Sequence, residues 1–213
     1  MSAKPKGKLK AHSPAILAGS GQYNPVQLSV VTISRQMGSL GYEVAKELAD
    51  MLGYRLMWRE LINQAALRSG KPEVALATID ELGLLGLCPS PKECKAYLKA
   101  LKHVIVELAD EGNVVIVGRA GQVILHNRSE VLHVRVIAPV EVRANRVALM
   151  HDISLENALA QIEASDEYRR NYLKRFYKVR WGNPELYDLV LNTARISPGM
   201  GADLIREAMQ HTI

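Results

Sequence analysis

Runs of apolar and β-branched residues recur along the chain and predict β-strands. The run LSVVTIS is typical of a strand that is buried on both faces of a sheet. The run YRLMW predicts a short strand or an extended piece of chain. In all we predict strands over residues 28–34, 54–58, 113–118, 131–138 and 187–193.

Apolar residues at helical spacing fill the intervals between these strands. The first predicted helix runs from Ser39 to Leu52 and is ended by Gly53. Two further predicted helices cover residues 59–70 and 92–111. A fourth opens with Pro139 in its first turn, and a fifth, polar and basic, is capped by Ser154 and continues to Lys178. A terminal helix is capped by Ser197. This alternation predicts an α/β fold, a parallel sheet of about five strands with helices on both faces.

Two stretches lack either pattern. Residues 1–27 are rich in Lys, Gly, Pro and Ser, and we expect them to form a flexible leader. Between residues 71 and 91, short helical fragments are broken by the sequence GLLGLCPSP, which indicates an inserted, mobile element. Residues 28–213 fit a single domain with a substantial core.

Composition favours a protein of the cytoplasm. Of the 213 residues, 48% are hydrophobic and 23% are charged, which is ordinary for a soluble globular chain. No apolar run approaches the roughly 20 residues of a membrane span, and no apolar stretch follows the basic N-terminus directly as in a secretory signal. We therefore expect neither a membrane partner nor secretion.

The positive charge belongs mainly to the leader. Without the charges of its four lysines, Lys4, Lys6, Lys8 and Lys10, the net formal charge of +5 falls to +1. A basic leader is either a solubilising arm or a contact for nucleic acid or a membrane surface. Because the rest of the chain is almost neutral, nucleic acid is not the expected partner.

The cysteines and histidines do not suggest a metal or catalytic site. Cys88 and Cys94 flank PSPKE without the further ligands that a zinc site needs, and we interpret them as incidental thiols. His133 lies in a predicted strand and the other histidines are scattered, so we expect structural or exposed roles for them.

A glycine-rich loop follows the first strand. The sequence SRQMGSLGYE, residues 34–43, leads into the first helix, where backbone amides and the helix N-terminus can hold phosphate. The lysine of a P-loop is missing, because Gly41, Tyr42 and Glu43 occupy its place. Two more loops carry candidate chemistry, GRAG at 118–121 and the basic segment at 165–180.

Five ordered stretches of the chain resemble the cytidylate kinase-like family, a branch of the P-loop nucleoside monophosphate kinases. They are VVTISRQMGSLGYEVAKELADMLGY, NVVIVGRAGQVIL, VLHVRVIAPVEVRANRV, SDEYRRNYLKRFY and ELYDLVLNTARIS. The resemblance implies a three-layer P-loop kinase fold with a mobile substrate-binding insert at about 59–111 and a LID at about 151–182. It also implies transfer of the ATP γ-phosphoryl group to a nucleoside monophosphate, CMP or dCMP, with Mg²⁺.

The resemblance assigns the glycine-rich loop to ATP. Family members commonly carry Ser-Arg-x-x-Gly-Ser-Gly-Gly-Arg-Glu, and this chain keeps Ser34, Arg35, Gly38, Ser39, Gly41 and Glu43. It departs from the pattern at Leu40, which replaces a glycine, and at Tyr42, which replaces an arginine. Arg35 is then either a phosphate contact or a salt-bridge partner. Glu43 is either a ligand of Mg²⁺ or a solvated first-turn carboxylate.

The other implied site residues are mostly arginines. Arg119 corresponds to the monophosphate site, and Arg143 with Arg146 to the start of the LID. Asp166, Arg169 and Tyr172 match a further LID motif. The alternative for these arginines is a solvated helix face, which we favour for Lys174 and Arg175. Near the expected adenine site, at Asn192, we expect Asp188 to orient a neighbouring arginine.

The acceptor and the activity itself stay open on these residues. Relatives often carry an Asp after the second strand, where this chain has Trp58. The indole either stacks on a base or packs against the insert. Besides the nucleotide kinase, two functions are therefore retained, namely a nucleotide-binding module that has lost turnover and a kinase of another small metabolite.

Overall fold

The computed structural model describes residues 28–70 and 91–211. The expectations for the leader 1–27, for the segment 71–90 and for the two cysteine side chains lie outside the described part. Within it, no helix is both long enough and apolar enough to cross a membrane.

Five parallel strands form the sheet, as predicted. They are β1 (Val30–Arg35), β2 (Arg55–Met57), β3 (Val114–Val117), β4 (Val131–Ile137) and β5 (Leu189–Asn192). Their order across the sheet is β2-β3-β1-β4-β5, so β1 is central and pairs with β3 on one side and β4 on the other. The carboxyl ends of all five strands therefore meet at one edge of the sheet, where ligands bind in folds of this type.

Helices cover both faces of the sheet, which gives the expected three layers. The described helices are α1 (Gly41–Leu52), α2 (Glu60–Ser69), α3 (Pro91–Glu111), α4 (Gly121–Ile124), α5 (Val140–His151), α6 (Leu155–Tyr172) and α7 (Pro198–His211). On one face, α1 and α7 pack on alternate residues of the central strands, such as Val31 and Ile33. On the other, α2 and α3 bury Val30 and Ile116. Continuous apolar strands follow from this burial on both sides.

The helix ends match the predicted caps in two cases and differ in two. Ser154 caps α6 by accepting from the backbone N of Asn157 at 3.2 Å, and Ser197 accepts from Met200 N at 3.2 Å at the start of α7. Pro139 is the N-cap of α5 and not its first-turn residue. The basic segment does not stay α-helical to Lys178, because α6 ends at Tyr172 and a π-helical turn follows to Tyr177. The short helix α4 was not predicted.

His133 provides a test of the buried sheet. It is 5% exposed, its Nδ1 lies 2.7 Å from Thr32 Oγ1, and its Nε2 has no hydrogen-bond partner among the described residues. Burial lowers the pKa of His133 below that of an unfolded histidine, although the nearby Asp188 acts in the opposite direction. The unfolded chain therefore takes up a proton, as pH falls below about 6.5, before the folded protein does.

We accordingly expect the free energy of unfolding to fall between about pH 7 and pH 5, by at most about 1.4 kcal/mol per pH unit from this residue. Urea unfolding of wild type and His133→Asn at several pH values measures the effect, and the variant should lose this part of the slope. His103→Asn, at an exposed position, is the control and should keep it. Parallel pH profiles for wild type and His133→Asn would contradict the assignment.

Candidate active site

Two neighbouring cavities open at the carboxyl edge of the sheet. The outer cleft, of about 510 Å³, lies along the glycine-rich loop and the start of α1. The inner cavity, of about 70 Å³, lies between the end of β3 and the π-helical turn. Arg35, Trp58 and Arg169 line both cavities, so these three side chains mark the junction between them.

The glycine-rich loop has the geometry of a tight anion-binding turn. Gly38 has φ 74°, and a Cβ there would lie 2.8 Å from the carbonyl oxygen of Arg143. Gly41 begins α1, and a Cβ there would lie 2.4 Å from Arg35 Cβ. Both positions therefore require glycine because neighbouring chain atoms approach closely. The loop delivers the N-terminus of a 12-residue helix to the outer cleft, where its unpaired amides and dipole favour an anion.

Leu40 adopts a left-handed conformation at the N-cap of α1, with φ 56° and ψ 26°. This conformation costs an L-residue about 1–2 kcal/mol, whereas glycine adopts it freely. Leu40 therefore occupies this left-handed position in the loop at the expense of backbone strain. Leu40 lines the outer cleft together with Tyr42 and Glu43.

Leu40→Gly should raise the free energy of unfolding by about 0.5–1 kcal/mol, since relief of the strain exceeds the added entropy of the unfolded chain. Leu40→Ala is the matched control, because it shortens the side chain and retains the strained Cβ. Chemical denaturation should place the glycine variant above the alanine variant. Equal stabilities for the two variants would show that the left-handed backbone carries no cost here.

The serines of the loop are engaged within the protein. Ser39 is fully buried, its hydroxyl donates to the carbonyl oxygen of Gln36 at 2.8 Å, and its own carbonyl oxygen accepts from Thr193 Oγ1 at 2.8 Å. Ser34 lines the inner cavity, and its hydroxyl oxygen accepts from Trp181 Nε1 at 2.9 Å. Through these hydrogen bonds, both serines hold together the chain segments that form the site.

Arg143 is a structural neighbour of the loop and lines neither cavity. Its side chain is buried, Nε donates to Ala138 O at 3.0 Å, and Nη1 donates to Met37 O at 3.2 Å. Nη1 also lies 3.1 Å from Asp166 Oδ2, and both side chains of this ion pair are less than 10% exposed. These contacts tie α5 and α6 to the loop. The structure thus gives Arg143 a positioning role, in place of the expected contact with substrate.

Arg146 and Arg169 extend from the same two helices to the cleft. Arg146 Nη2 donates to Thr193 O at 2.7 Å, and Nη1 donates to Gly38 O at 3.3 Å. Arg169 lies in both cavity walls, donates to Ser165 Oγ and is 3.9 Å from Asp166 Oδ1. Arg169 is thus a cation in the wall of both cavities, and its contact with substrate stays a prediction. Lys174 and Arg175 are exposed, as expected for a solvated helix face.

Arg119 is presented to the inner cavity by a strained turn. Gly118, Arg119 and Ala120 have φ of 76°, 52° and 60°, which is one left-handed turn between β3 and α4. Two of these residues are not glycine, and strain of this kind clusters at ligand-binding sites.

Tyr172 lines the same cavity. Burial raises the pKa of the Tyr172 phenol well above its ordinary value, so the phenol is protonated at neutral pH.

The position of Glu43 suits a magnesium ion that is held mainly by water molecules and by the phosphate oxygens of a nucleotide. The described residues contain no group of three or more acidic, histidine or cysteine side chains that could enclose a metal. Glu43 lines the outer cleft in the first turn of α1. Mg²⁺ commonly uses one or two carboxylates together with phosphate oxygens and retained waters, so a single carboxylate at this point fits it.

The chain is similar in sequence to known proteins over most of its length. The model of the cytidylate kinase-like family matches residues 30–195. The chain belongs to this family. It is 30% identical to a cytidylate kinase of Ignicoccus hospitalis over 187 aligned residues, and this alignment covers 85% of this chain and 99% of the relative. A cytidylate kinase of Pyrococcus horikoshii is 28% identical over 191 residues, 88% of this chain and 91% of the relative.

Solved structures support the fold. An uncharacterized protein from Eubacterium ventriosum superimposes with a TM-score of 0.69 at 20% identity, over 87% of this chain and all of that chain. A shikimate kinase from Bacteroides thetaiotaomicron gives a TM-score of 0.51 at 13% identity, over 85% and 98% of the two chains. The P-loop kinase fold expected from the resemblance is thereby confirmed. The match to the cytidylate kinase-like family supports a nucleotide kinase.

Trp181 is a site residue that sequence reasoning missed. Its indole is 5% exposed and lines the inner cavity, and its carbonyl oxygen accepts from Tyr187 OH at 2.9 Å and from Arg135 Nη1. Arg135 also lies 4.6 Å from the indole ring. A single aromatic residue in the polar turn VRWGNPE was the only local signal of a buried role.

The expectation for Asp188 was wrong. Among the described residues it pairs with no arginine; its Oδ2 accepts from the backbone N of His133 at 2.7 Å, and its own N donates to His133 O at 2.7 Å. Asp188 therefore extends the pairing of β4 just before β5 begins. Asn192 ends β5 and accepts from Ala194 N at 3.0 Å, so its side chain shapes the turn that follows.

Proposed function

We propose that this protein transfers the γ-phosphoryl group of ATP to a pyrimidine nucleoside monophosphate, CMP or dCMP. The observation that carries the proposal is the meeting of the two cavities at Arg35, Trp58 and Arg169. A donor bound along the loop and an acceptor bound in the inner cavity would bring their phosphates together at this junction. Phosphoryl transfer depends mainly on such positioning and on charge neutralisation.

The donor side of the site would be built from the glycine-rich loop. The loop amides and the N-terminus of α1 would hold the ATP phosphates, with the side chains of Tyr42 and Glu43 beside them in the outer cleft. Glu43 would hold Mg²⁺, which supplies charge neutralisation between the phosphates when it is bound. Arg35, at the end of β1, contributes the cation that a P-loop lysine would supply.

The acceptor side would be built around Arg119. Its guanidinium offers a fork of donors that matches a phosphate monoester. Gln122 and Tyr168 also line the inner cavity and provide polar groups for a base or a sugar. The choice of a cytosine nucleotide is supported by the cytidylate kinases that are 28% and 30% identical to this chain.

A coupled assay of ADP release tests the function directly. Wild-type protein with ATP and Mg²⁺ is supplied in turn with CMP, dCMP, UMP, AMP, GMP and shikimate. We expect kcat/KM to be highest for CMP or dCMP. Faster turnover of a non-nucleotide acceptor would instead identify a kinase of another small metabolite.

A nucleotide-binding module without turnover is the second candidate. The strained Leu40 and the absence of a cation at Tyr42 favour it, because both concern the loop next to the transferring phosphate. This candidate predicts ADP binding with Mg²⁺ in calorimetry and no ADP release with any acceptor. Release of ADP at more than the rate without acceptor would exclude it.

A further inference from the structure

The side chain of Arg35 is closely approached by neighbouring groups at its base and at its tip. At its base, a Cβ on Gly41 would lie 2.4 Å from Arg35 Cβ, so the chain passes over the start of α1 without a gap. At its tip, a Cβ on Gly118 would lie 3.1 Å from Arg35 Nη1. The guanidinium carbon is 5.7 Å from the ring centroid of Trp58. Arg35 therefore has a defined direction, towards the junction of the two cavities.

Trp58 is itself held in place from several directions. Its ring centroid is 4.4 Å from that of Tyr42, with the planes inclined at 43°. Arg59 lies 4.5 Å from the same ring, and the backbone N of Trp58 donates to Glu60 Oε2 at 3.1 Å. The indole also packs on the core beside α1. A ring fixed in this way can in turn fix a cation beside it.

The two rings lie against the cavities that Arg35 lines. Trp58 lines both cavities, Tyr42 lines the outer cleft, and the two rings are in contact. Tyr42 therefore supports the indole on the side of the outer cleft.

The indole therefore bears on the direction of the Arg35 side chain. The guanidinium carbon lies within cation–π range of the Trp58 ring, and the ring quadrupole favours a cation held there. The proposed function needs this direction, because Arg35 at the end of β1 serves as the cation in place of a lysine.

We propose that Tyr42 and Trp58 act as one positioning unit that holds Arg35 at the junction, and that they do not act as a base-stacking surface. The inference rests on the proposed function for its effect on turnover. Its structural content, the coupling between Arg35 and Trp58, does not depend on turnover.

The kinetic test compares ring-retaining with ring-removing substitutions. Trp58→Leu and Tyr42→Leu should each lower kcat about 3- to 30-fold, the range expected for loss of a cation–π or aromatic contact, with both KM values within about twofold of wild type. Trp58→Phe and Tyr42→Phe should stay within about threefold of wild-type kcat. The double leucine variant should be no worse than about the poorer single variant, because residues that act as a unit are not additive.

Three results would overturn the proposal. A raised KM for one nucleotide at unchanged kcat in Trp58→Leu would make the indole a base-stacking wall. Multiplicative losses in the double leucine variant would show that the two rings act independently. An undiminished effect of Trp58→Leu in an Arg35→Leu background would show that Trp58 does not act through Arg35.

A second measurement separates this proposal from the proposed function. If wild type releases no ADP with any acceptor, the proposed function fails, and the positioning proposal is decided by unfolding of the ligand-free protein. In a double-mutant cycle of Arg35→Leu and Trp58→Leu, we expect a coupling of about 2- to 30-fold in the unfolding equilibrium constant. Additive effects within error would reject the contact and the proposal with it.

Discussion

Arg35→Ala is expected to reduce kcat by about 100- to 1,000-fold, the loss typical of removing one group that stabilises transition-state charge. Arg35 is the cation that ends β1, it lines both cavities, and its guanidinium passes beside Gly118 on the way to their junction. Its charge is therefore aimed at the point where the transferring phosphoryl group would lie. The ADP-release assay at saturating ATP and CMP measures the loss.

The matched control for this variant is Arg206→Ala. Arg206 lies on α7 in an exposed ion pair with Asp203 and lines neither cavity. Arg206→Ala removes the same formal charge as Arg35→Ala and should leave kcat within about twofold of the wild-type value, since exposed ion pairs contribute little. If Arg35→Ala kept wild-type kcat, the charge at the junction would have to come from another residue, with Arg169 as the next variant to measure.

Arg119→Ala is expected to raise the KM for the monophosphate or lower kcat/KM by about 10- to 150-fold, the equivalent of about 1.5–3 kcal/mol for one charge-assisted contact. The effect should fall on the acceptor, with the KM for ATP nearly unchanged, because Arg119 lines the inner cavity and not the outer cleft. This split between the two substrates distinguishes an acceptor contact from general damage to the site.

Arg55→Ala serves as the control for Arg119. Arg55 begins β2, is half exposed and pairs with Glu111, so it lies at the opposite end of the strands from the cavities. Unchanged values of both KM constants are expected for it. Normal kinetics together with lowered thermal stability in Arg119→Ala would show that Arg119 stabilises the strained turn and does not bind the acceptor.

Local sequence pattern was sufficient for the five strands, for most of the described helices and for the location of the glycine-rich loop. Central parallel strands are buried on both faces, so they must be continuously apolar, and such runs can be recognised without knowledge of their neighbours. The loop follows from the same logic, because Gly38 and Gly41 lie between a buried strand and a helix pattern. Most strand and helix ends shifted by one or two residues, as is normal at frayed or capped termini, whereas α6 ends six residues before the predicted Lys178 because a π-helical turn follows it.

The candidate site was predictable in part. Arg35, Arg119 and Arg169 were expected at the site from sequence and line its cavities. Arg143 was expected beside them and is buried against the loop carbonyls and Asp166. A sequence gives an arginine its charge, whereas the direction of its long side chain is decided by the helix that carries it and by the groups within reach.

Sequence by itself therefore determined the strands and most of the described helices, the family, and the edge of the sheet at which the candidate site lies. Tertiary structure alone decided which side chains share that edge. Trp181 contacts Ser34 across 147 residues. Trp58 meets Tyr42 because the parallel strands β1 and β2, which flank β3, end at the same edge of the sheet. Such contacts depend on strand order and helix packing, which bring together residues that carry no local signal of each other.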